Sequence, residues 1–192
     1  TLFRSLSTIA DMVPLVKENR ALAYFGLKVL RRSPRPGLQA MLREAKVDQR
    51  FLNEVDVGFT IAPRVNAASR MAEPIQAFHA LAARDPKLGE DFARELERLN
   101  TDRKAIGKEM EKSAIEQAES LIDRPVLVVG DNDWTVGVAG IIASKLVERY
   151  KKPVFVWCKE TSGIKGSCRS DGTVNLVTLM HAVTGDIFTA RG

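Results

Sequence analysis

The spacing of apolar positions divides the chain into two parts with different predicted architectures. Before residue 124 the dominant pattern is helical, as where Leu22, Phe25 and Val29 recur at intervals of three and four residues. After residue 124 short apolar runs flank a helical segment at 137–150. This order of strand, helix and strand predicts a βαβ unit with a domain boundary near residue 124.

Breaks at proline and glycine set the limits of the predicted elements. The apolar run at 126–129 is continuous, which is typical of a strand buried on both faces. The segment 87–122 contains no proline and keeps an apolar stripe, so it predicts one long helix or two joined near Gly107. The remaining predictions are a strand end at 5–10, helices at 18–30, 38–45, 73–84 and 174–183, a short helix entering a loop at 47–61, and strands at 153–158 and 164–169.

Composition places the chain among globular proteins, with 45% hydrophobic and 28% charged residues. No apolar run approaches the about 20 residues that span a bilayer, and no signal peptide is visible. Cys158 and Cys168 are too few and too far apart for a disulfide scaffold or a CxxC site, so a reducing, cytoplasmic setting is expected. The chain lacks an initial Met and a closing polar tail, from which we expect a fragment.

Positive charge is concentrated near the beginning of the chain. The net charge is +5, and residues 17–50 hold nine Lys and Arg against three acids. A local excess of this size favours a polyanionic partner. A solvated face of surface helices explains the same pattern, and charge alone does not separate the two interpretations.

The segment 62–70 contains the first group of candidate phosphate-binding residues. Arg64, Asn66 and Arg70 recur at close intervals among small residues, and a guanidinium can hold a phosphate through two hydrogen bonds. The alternative is a loop whose arginines pair with Asp56 or Glu73.

A second group of hydrogen-bond donors lies in the last predicted strand. Lys165, Ser167 and Arg169 alternate and therefore point to one face, with Ser170 next to them. A cation, a hydroxyl and a guanidinium in line suit a nucleic-acid backbone, although an ordinary exposed strand face has the same composition. No Ser/His/Asp or Cys/His arrangement indicates a catalytic nucleophile.

Asp11 follows the first apolar segment and precedes a turn. Carboxylates at such positions are suited to Mg²⁺ or Mn²⁺, which prefer oxygen ligands. For a single Asp considered alone, a turn or helix-capping role is the better explanation.

Four stretches, in order, resemble the RecJ exonuclease family within the DHH phosphoesterases. The stretches are STIADMVPL at 7–15, IAPRVNAASR at 61–70, DWTVGVAGI at 133–141 with ASKL at 143–146, and GSCRS at 166–170 with Asn175-Leu176. The second stretch resembles the family motif PRxNAxGR, in which Ser69 replaces the usual Gly. In the third stretch, Thr135-Val136 replaces a common His-Pro.

The resemblance implies an α/β fold in three parts. These are the helix-rich C-terminal part of a DHH domain at 1–86, a long connecting helix at 87–124 and a small α/β DHHA1 domain at 125–192, truncated at its end. It also implies a hydrolase of DNA repair and recombination that degrades single-stranded DNA from its 5′ end with Mn²⁺ or Mg²⁺.

The resemblance also assigns roles to single residues. Asp11 matches a metal-binding aspartate, and Arg64 matches an arginine that grips substrate phosphate, with Asn66 beside it. Ser167 and Arg169 match residues that hold the 5′-terminal phosphate.

The resemblance implies an active parent protein. The family's Asp-His-His motif does not occur in this chain, so we expect the chain alone to be inactive and to hold no metal stably. A domain with missing strands exposes strand edges and apolar surface, from which we also expect self-association. Two alternatives stay open: a phosphodiesterase of short oligonucleotides or cyclic dinucleotides, and a non-catalytic nucleic-acid-binding relative.

Overall fold

A computed structural model describes residues 2–183 and divides the chain into two compact units, residues 1–103 and 104–192. The division falls inside one continuous helix, so the long helix expected from the sequence is present and has no break at Gly107. Among the described helices, none combines the length and apolarity needed to cross a membrane.

The first unit is entirely helical in its described part. Its core is built from large aliphatic side chains with almost no exposed surface, among them Leu30, Leu38, Leu52 and Leu96. The elements are α1 Leu2–Ala10, α2 Lys17–Arg31, α3 Pro36–Glu44, a 3₁₀ turn Gln49–Phe51, α4 Glu54–Asp56, a π-helical turn Val57–Ile61, α5 Ala62–Met71, α6 Ile75–Ala82 and the first part of α7 Pro86–Ser120.

The predicted strand end at 5–10 is wrong, because these residues belong to α1. Leu2, Leu6 and Ile9 are buried along one side of this helix, at the intervals of three and four residues that mark a helical face. The β-branched pair Thr8-Ile9 favoured a strand locally, and packing of the helical stripe into the core overrides that preference.

The loop predicted to follow the short helix at 47–61 is also absent. The chain turns into α4 through a capping box between Asn53 and Asp56, and continues through the π-helical turn directly into α5. Pro63 lies where the π-helical turn passes into α5, and it donates no backbone hydrogen bond there. The small residues Ala67 and Ala68 are fully buried, so their function is close helix packing.

The second unit is a small α/β domain, as expected from the sequence. The βαβ unit is confirmed because β1 and β2 pair in parallel through α8, while β3 pairs antiparallel with β2. The elements after α7 are β1 Leu127–Asp131, α8 Val136–Tyr150, β2 Val154–Glu160, β3 Gly163–Arg169 and α9 Leu176–Ala182. The expected α/β class with a long connecting helix is therefore confirmed, and residues 184–192 of the predicted DHHA1 domain lie outside the described residues.

The prediction that the strand at 126–129 is buried on both faces is wrong. Leu127 and Val129 are buried, whereas Val128 between them is 53% exposed. Only one face of this part of the sheet is fully covered, so a continuous apolar run here marks a half-buried strand. At the outer edge of β1, the Gly130 N–H donates to Gln117 Oε1 (3.0 Å), and Gln117 Nε2 donates to the Gly130 carbonyl (3.3 Å).

Replacement of Gly37 by alanine tests the packing of the first unit. A Cβ at Gly37 would lie 1.7 Å from the Ala80 carbonyl oxygen, a backbone atom that cannot move alone. We expect Gly37→Ala to lower the unfolding free energy by about 3 kcal/mol, the upper end of typical overpacking costs, in urea denaturation. Gly58→Ala is the control because nothing lies within 4 Å of its added Cβ, and helix propensity alone predicts no loss of stability. Equal midpoints for the two variants would contradict the described packing.

The two cysteines are expected to differ in reactivity. Burial raises the pKa of the Cys158 thiol to about 11, and the nearby Glu160 carboxylate adds to the shift, whereas Cys168 is only half-buried. Because the thiolate is the reactive form, iodoacetamide at mildly alkaline pH should modify Cys168 first, and Cys158 only when urea opens the sheet. Peptide mass spectrometry over time measures both rates, and equal rates in native protein would contradict the description.

Candidate nucleic-acid and metal sites

The donor residues of β3 share one face of the sheet, as the alternation predicts. Lys165, Ser167 and Arg169 pair in register with Cys158, Val156 and Val154, which are the buried residues of β2. Paired residues project to the same side of a sheet, and this side also carries α8.

The first turns of α8 lie against Ser167 and Arg169. A Cβ built on Gly140 would be 3.2 Å from Ser167 Oγ and 3.4 Å from Arg169 Nη2. Arg169 Nη1 donates to Ser167 Oγ (3.2 Å) and to the Cys168 carbonyl (2.7 Å), which fixes the guanidinium beside the hydroxyl. No carboxylate forms an ion pair with Arg169 within residues 2–183. A cation and a hydroxyl therefore lie side by side against the second turn of α8, and these two hydrogen-bond donors suit an anion.

Lys165 and Ser170 are engaged differently. Lys165 Nζ forms an ion pair with Glu160 at 2.6 Å. Ser170 lies beyond the end of β3, where its hydroxyl accepts from the Gly172 N–H at 3.2 Å and contacts the Asp171 carboxylate at 3.4 Å. The structure thus brings Ser167 and Arg169 together beside α8, while Lys165 and Ser170 have local partners.

Arg64 is held inside the first unit rather than presented on a loop. Its side chain is 12% exposed, its Nε donates to the Glu97 carboxylate and its Nη1 donates to the Thr60 carbonyl at 2.7 Å. The alternative reading from the sequence, an internal ion pair, is correct in kind, but the partner is Glu97 of α7 and not Asp56 or Glu73. The positive charge of Arg64 is therefore largely compensated within the fold.

Asp11 and Asn66 line the same small cleft, which the sequence did not indicate. The cleft has a volume of about 170 Å³, and its other walls are mostly apolar side chains of α1 and of the segment from Val57 to Val65. Asp11 lies in the turn after α1, where Met12 adopts a left-handed conformation with φ 54°. Within residues 2–183 no group of three or more His, Cys, Asp or Glu side chains is placed to hold a metal ion. Asp11 by itself supplies a single carboxylate, which is fewer ligands than a bound Mg²⁺ or Mn²⁺ requires.

Arg103 is a candidate functional residue that the sequence did not single out. Burial lowers the pKa of its guanidinium, and the nearby positive charge of Arg70 lowers the pKa further. Its Nη2 donates to the buried Asn100 at 2.9 Å, while its Nε has no hydrogen-bond partner among the described residues. Arg103 is therefore a half-buried cation whose electrostatic neighbour Arg70 belongs to α5, and no local sequence pattern indicates this relation between α5 and α7.

Comparison with known proteins supports one family over nearly the whole chain. The DHHA1 domain model matches residues 123–188. The single-stranded-DNA-specific exonuclease RecJ of Bacillus subtilis is 41% identical over 90% of this chain and 22% of its own length. The RecJ of Escherichia coli is 36% identical over 86% of this chain and 30% of its own length. The chain thus spans about a quarter of the length of these relatives.

Solved structures agree with the sequence relatives. RecJ of Thermus thermophilus in complex with Mn²⁺ superposes with a TM-score of 0.81 at 33% identity, covering 92% of this chain and 26% of that one. A manganese-bound exonuclease RecJ gives a TM-score of 0.82 at 32% identity, over 94% of this chain and 44% of that one. The resemblance carried by the four sequence motifs is confirmed, because this chain is similar to RecJ exonucleases over about 90% of its length and contains a match to the DHHA1 domain.

Proposed function

We propose that this chain is part of a metal-dependent exonuclease that hydrolyses single-stranded DNA from its 5′ end, and that the chain is inactive by itself. The similar proteins of Bacillus subtilis and Escherichia coli are single-stranded-DNA-specific exonucleases, which supports single-stranded DNA as the substrate. The observation that carries the proposal is the meeting of Ser167, Arg169 and the first turns of α8. This arrangement suits a terminal phosphate better than an internal one, because a terminal phosphate carries the larger negative charge.

The chemistry of this group fits the recognition of a 5′-phosphate. Arg169 offers charged N–H donors, and the Ser167 hydroxyl, which accepts from Arg169, keeps its own proton to donate to a phosphate oxygen. The absence of a side chain at Gly140 leaves room for an oxygen near the helix backbone. In this proposal Lys165 and Ser170 act at the margin of the site, where each would exchange a local partner for phosphate.

In the first unit, we assign Asp11 to metal binding and Asn66 to the substrate strand that passes the same cleft. Mn²⁺ or Mg²⁺, when bound, would supply an activated water and stabilise the leaving oxygen. Arg64 and Arg70 would contact backbone phosphates, and Arg64 would share its guanidinium between a phosphate and Glu97.

The free cysteines are consistent with the proposed cytoplasmic location. Exposed apolar side chains such as Ile164 support the proposed self-association.

Removal of the Arg169 guanidinium tests the 5′-phosphate site. We expect Arg169→Ala to weaken binding of a 5′-phosphorylated oligothymidine by about tenfold or more, since a charge-assisted hydrogen bond contributes about 1.5–3 kcal/mol. Binding of the 5′-hydroxyl strand should change little, and fluorescence anisotropy measures both. Lys159→Ala is the matched control, because it removes one exposed charge from a strand position that faces away from Arg169. Equal losses for the two strand ends would refute the assignment.

Neutralisation of Glu97 tests whether Arg64 contacts the strand. If Arg64 shares its charge between Glu97 and a phosphate, Glu97→Gln should tighten binding of the 5′-hydroxyl strand about two- to fivefold, because a competing anion is removed. Arg64→Ala in the Glu97→Gln background should abolish that gain. Urea denaturation of the same variants reports the stability contributed by the pair. A stability loss without any gain in binding would limit Arg64 to a structural role.

A further inference from the structure

An open groove of about 940 Å³ crosses the first unit. Asp11, Asn66 and Arg64 do not line it, although Phe3 lines both this groove and the cleft of Asp11. It runs between α1, the end of α2 with the turn that follows, and the end of α6. Four basic and two aromatic residues dominate its walls: Phe3, Phe25, Lys28, Arg32, Arg35 and Arg84. Three of the nine Lys and Arg residues at 17–50 therefore line one concave surface, together with Arg84 from a distant part of the sequence.

The charge in this groove is uncompensated. No acidic residue lines it, and none of its four cations takes part in an ion pair within residues 2–183. Lys28, Arg32 and Arg84 are exposed. Arg35 is fixed in position, since its Nη1 donates to the Leu81 carbonyl at 3.1 Å and its guanidinium lies 5.2 Å from the centre of the Phe3 ring. Cations gathered without counter-charges attract a polyanion.

Two aromatic rings are exposed beside these cations. The Phe25 side chain is 60% exposed and the Phe3 side chain is 39% exposed. Exposure of these apolar rings to water is unfavourable, because neither ring carries a polar group. Lys28 Nζ lies 5.7 Å from the centre of the Phe25 ring, so charge and ring face are within the span of one nucleotide. Exposed rings interleaved with cations are the arrangement that binds unpaired bases by stacking and their backbone by charge.

We propose that this groove is a second binding surface for single-stranded nucleic acid, independent of the 5′-phosphate site. Its volume is near the upper end for small-molecule pockets, so it accommodates only a few nucleotides. A duplex hides its base faces and would leave Phe3 and Phe25 without stacking partners. The proposal goes beyond the function proposed above, because it uses neither Ser167 nor Arg169 and holds for strands with any 5′ end.

The salt dependence of binding by the 192-residue chain tests the groove. The double variant Arg32→Ala/Arg84→Ala removes two exposed cations and leaves the structural hydrogen bond of Arg35 intact. We expect about tenfold weaker binding of oligothymidine at low salt. The slope of log K against log salt should fall by about 1.4, since each phosphate contact on a single strand contributes about 0.7.

The matched control removes two exposed cations elsewhere on helices. Arg20→Ala/Lys108→Ala leaves the same net charge as the groove variant, and neither residue lines the groove. The control should keep the original slope. If both double variants lose affinity and slope equally, binding follows net charge alone and the groove assignment is overturned.

Stacking and strand-end measurements identify the ligand. Phe25→Leu should weaken binding of oligothymidine at least about fivefold and leave binding of an abasic strand unchanged. If only the charge variant weakens binding, the ligand is another polyanion, and the assignment to nucleic acid is wrong.

The groove variant should weaken binding of 5′-phosphorylated and 5′-hydroxyl strands by the same factor. Failure of the 5′-phosphate site, in contrast, would appear only in the difference between the two ends.

Discussion

Close approach between α8 and β3 is the constraint on which the candidate 5′-phosphate site depends. Ser167 and Arg169 occupy the sheet face that carries the helix, where bulky side chains at the facing position would displace them. Gly140 provides the space, and the internal hydrogen bond from Arg169 to Ser167 orders the two donors before any ligand arrives. A site ordered in advance loses less entropy on binding, which is the physical advantage of placing donors on a strand rather than on a loop.

The cationic side chains of the first unit are stabilised in two different ways. Arg64, with little exposed surface, is matched by Glu97 and by a backbone carbonyl, because a desolvated guanidinium without partners would be costly. The cations around Phe25 remain in contact with water and need no such partner. Burial therefore decides which arginines stabilise the fold and which stay available to a ligand. The spacing of arginines in a sequence motif does not show which of them are buried.

The sequence predicted the second unit more accurately than the first. Alternation fixed the common face of Lys165, Ser167 and Arg169, since a strand has only two sides. The helix at the beginning of the chain was mistaken for a strand because Thr8-Ile9 has the local preference of a strand and the stripe starting at Leu2 is short. The partnership of Arg64 with Glu97 and the shared cleft of Asp11 and Asn66 depend on contacts between distant segments. No local pattern encodes such contacts.

Gln117 has a consequence for how this domain could associate with copies of itself. Its side-chain amide satisfies both backbone groups of Gly130, as a neighbouring strand would, so the outer margin of β1 offers no free template at that point. A strand from another molecule could complete its hydrogen bonds at Gly130 only by displacing the side chain of Gln117. Intermolecular β-pairing at this position therefore carries the cost of two broken hydrogen bonds.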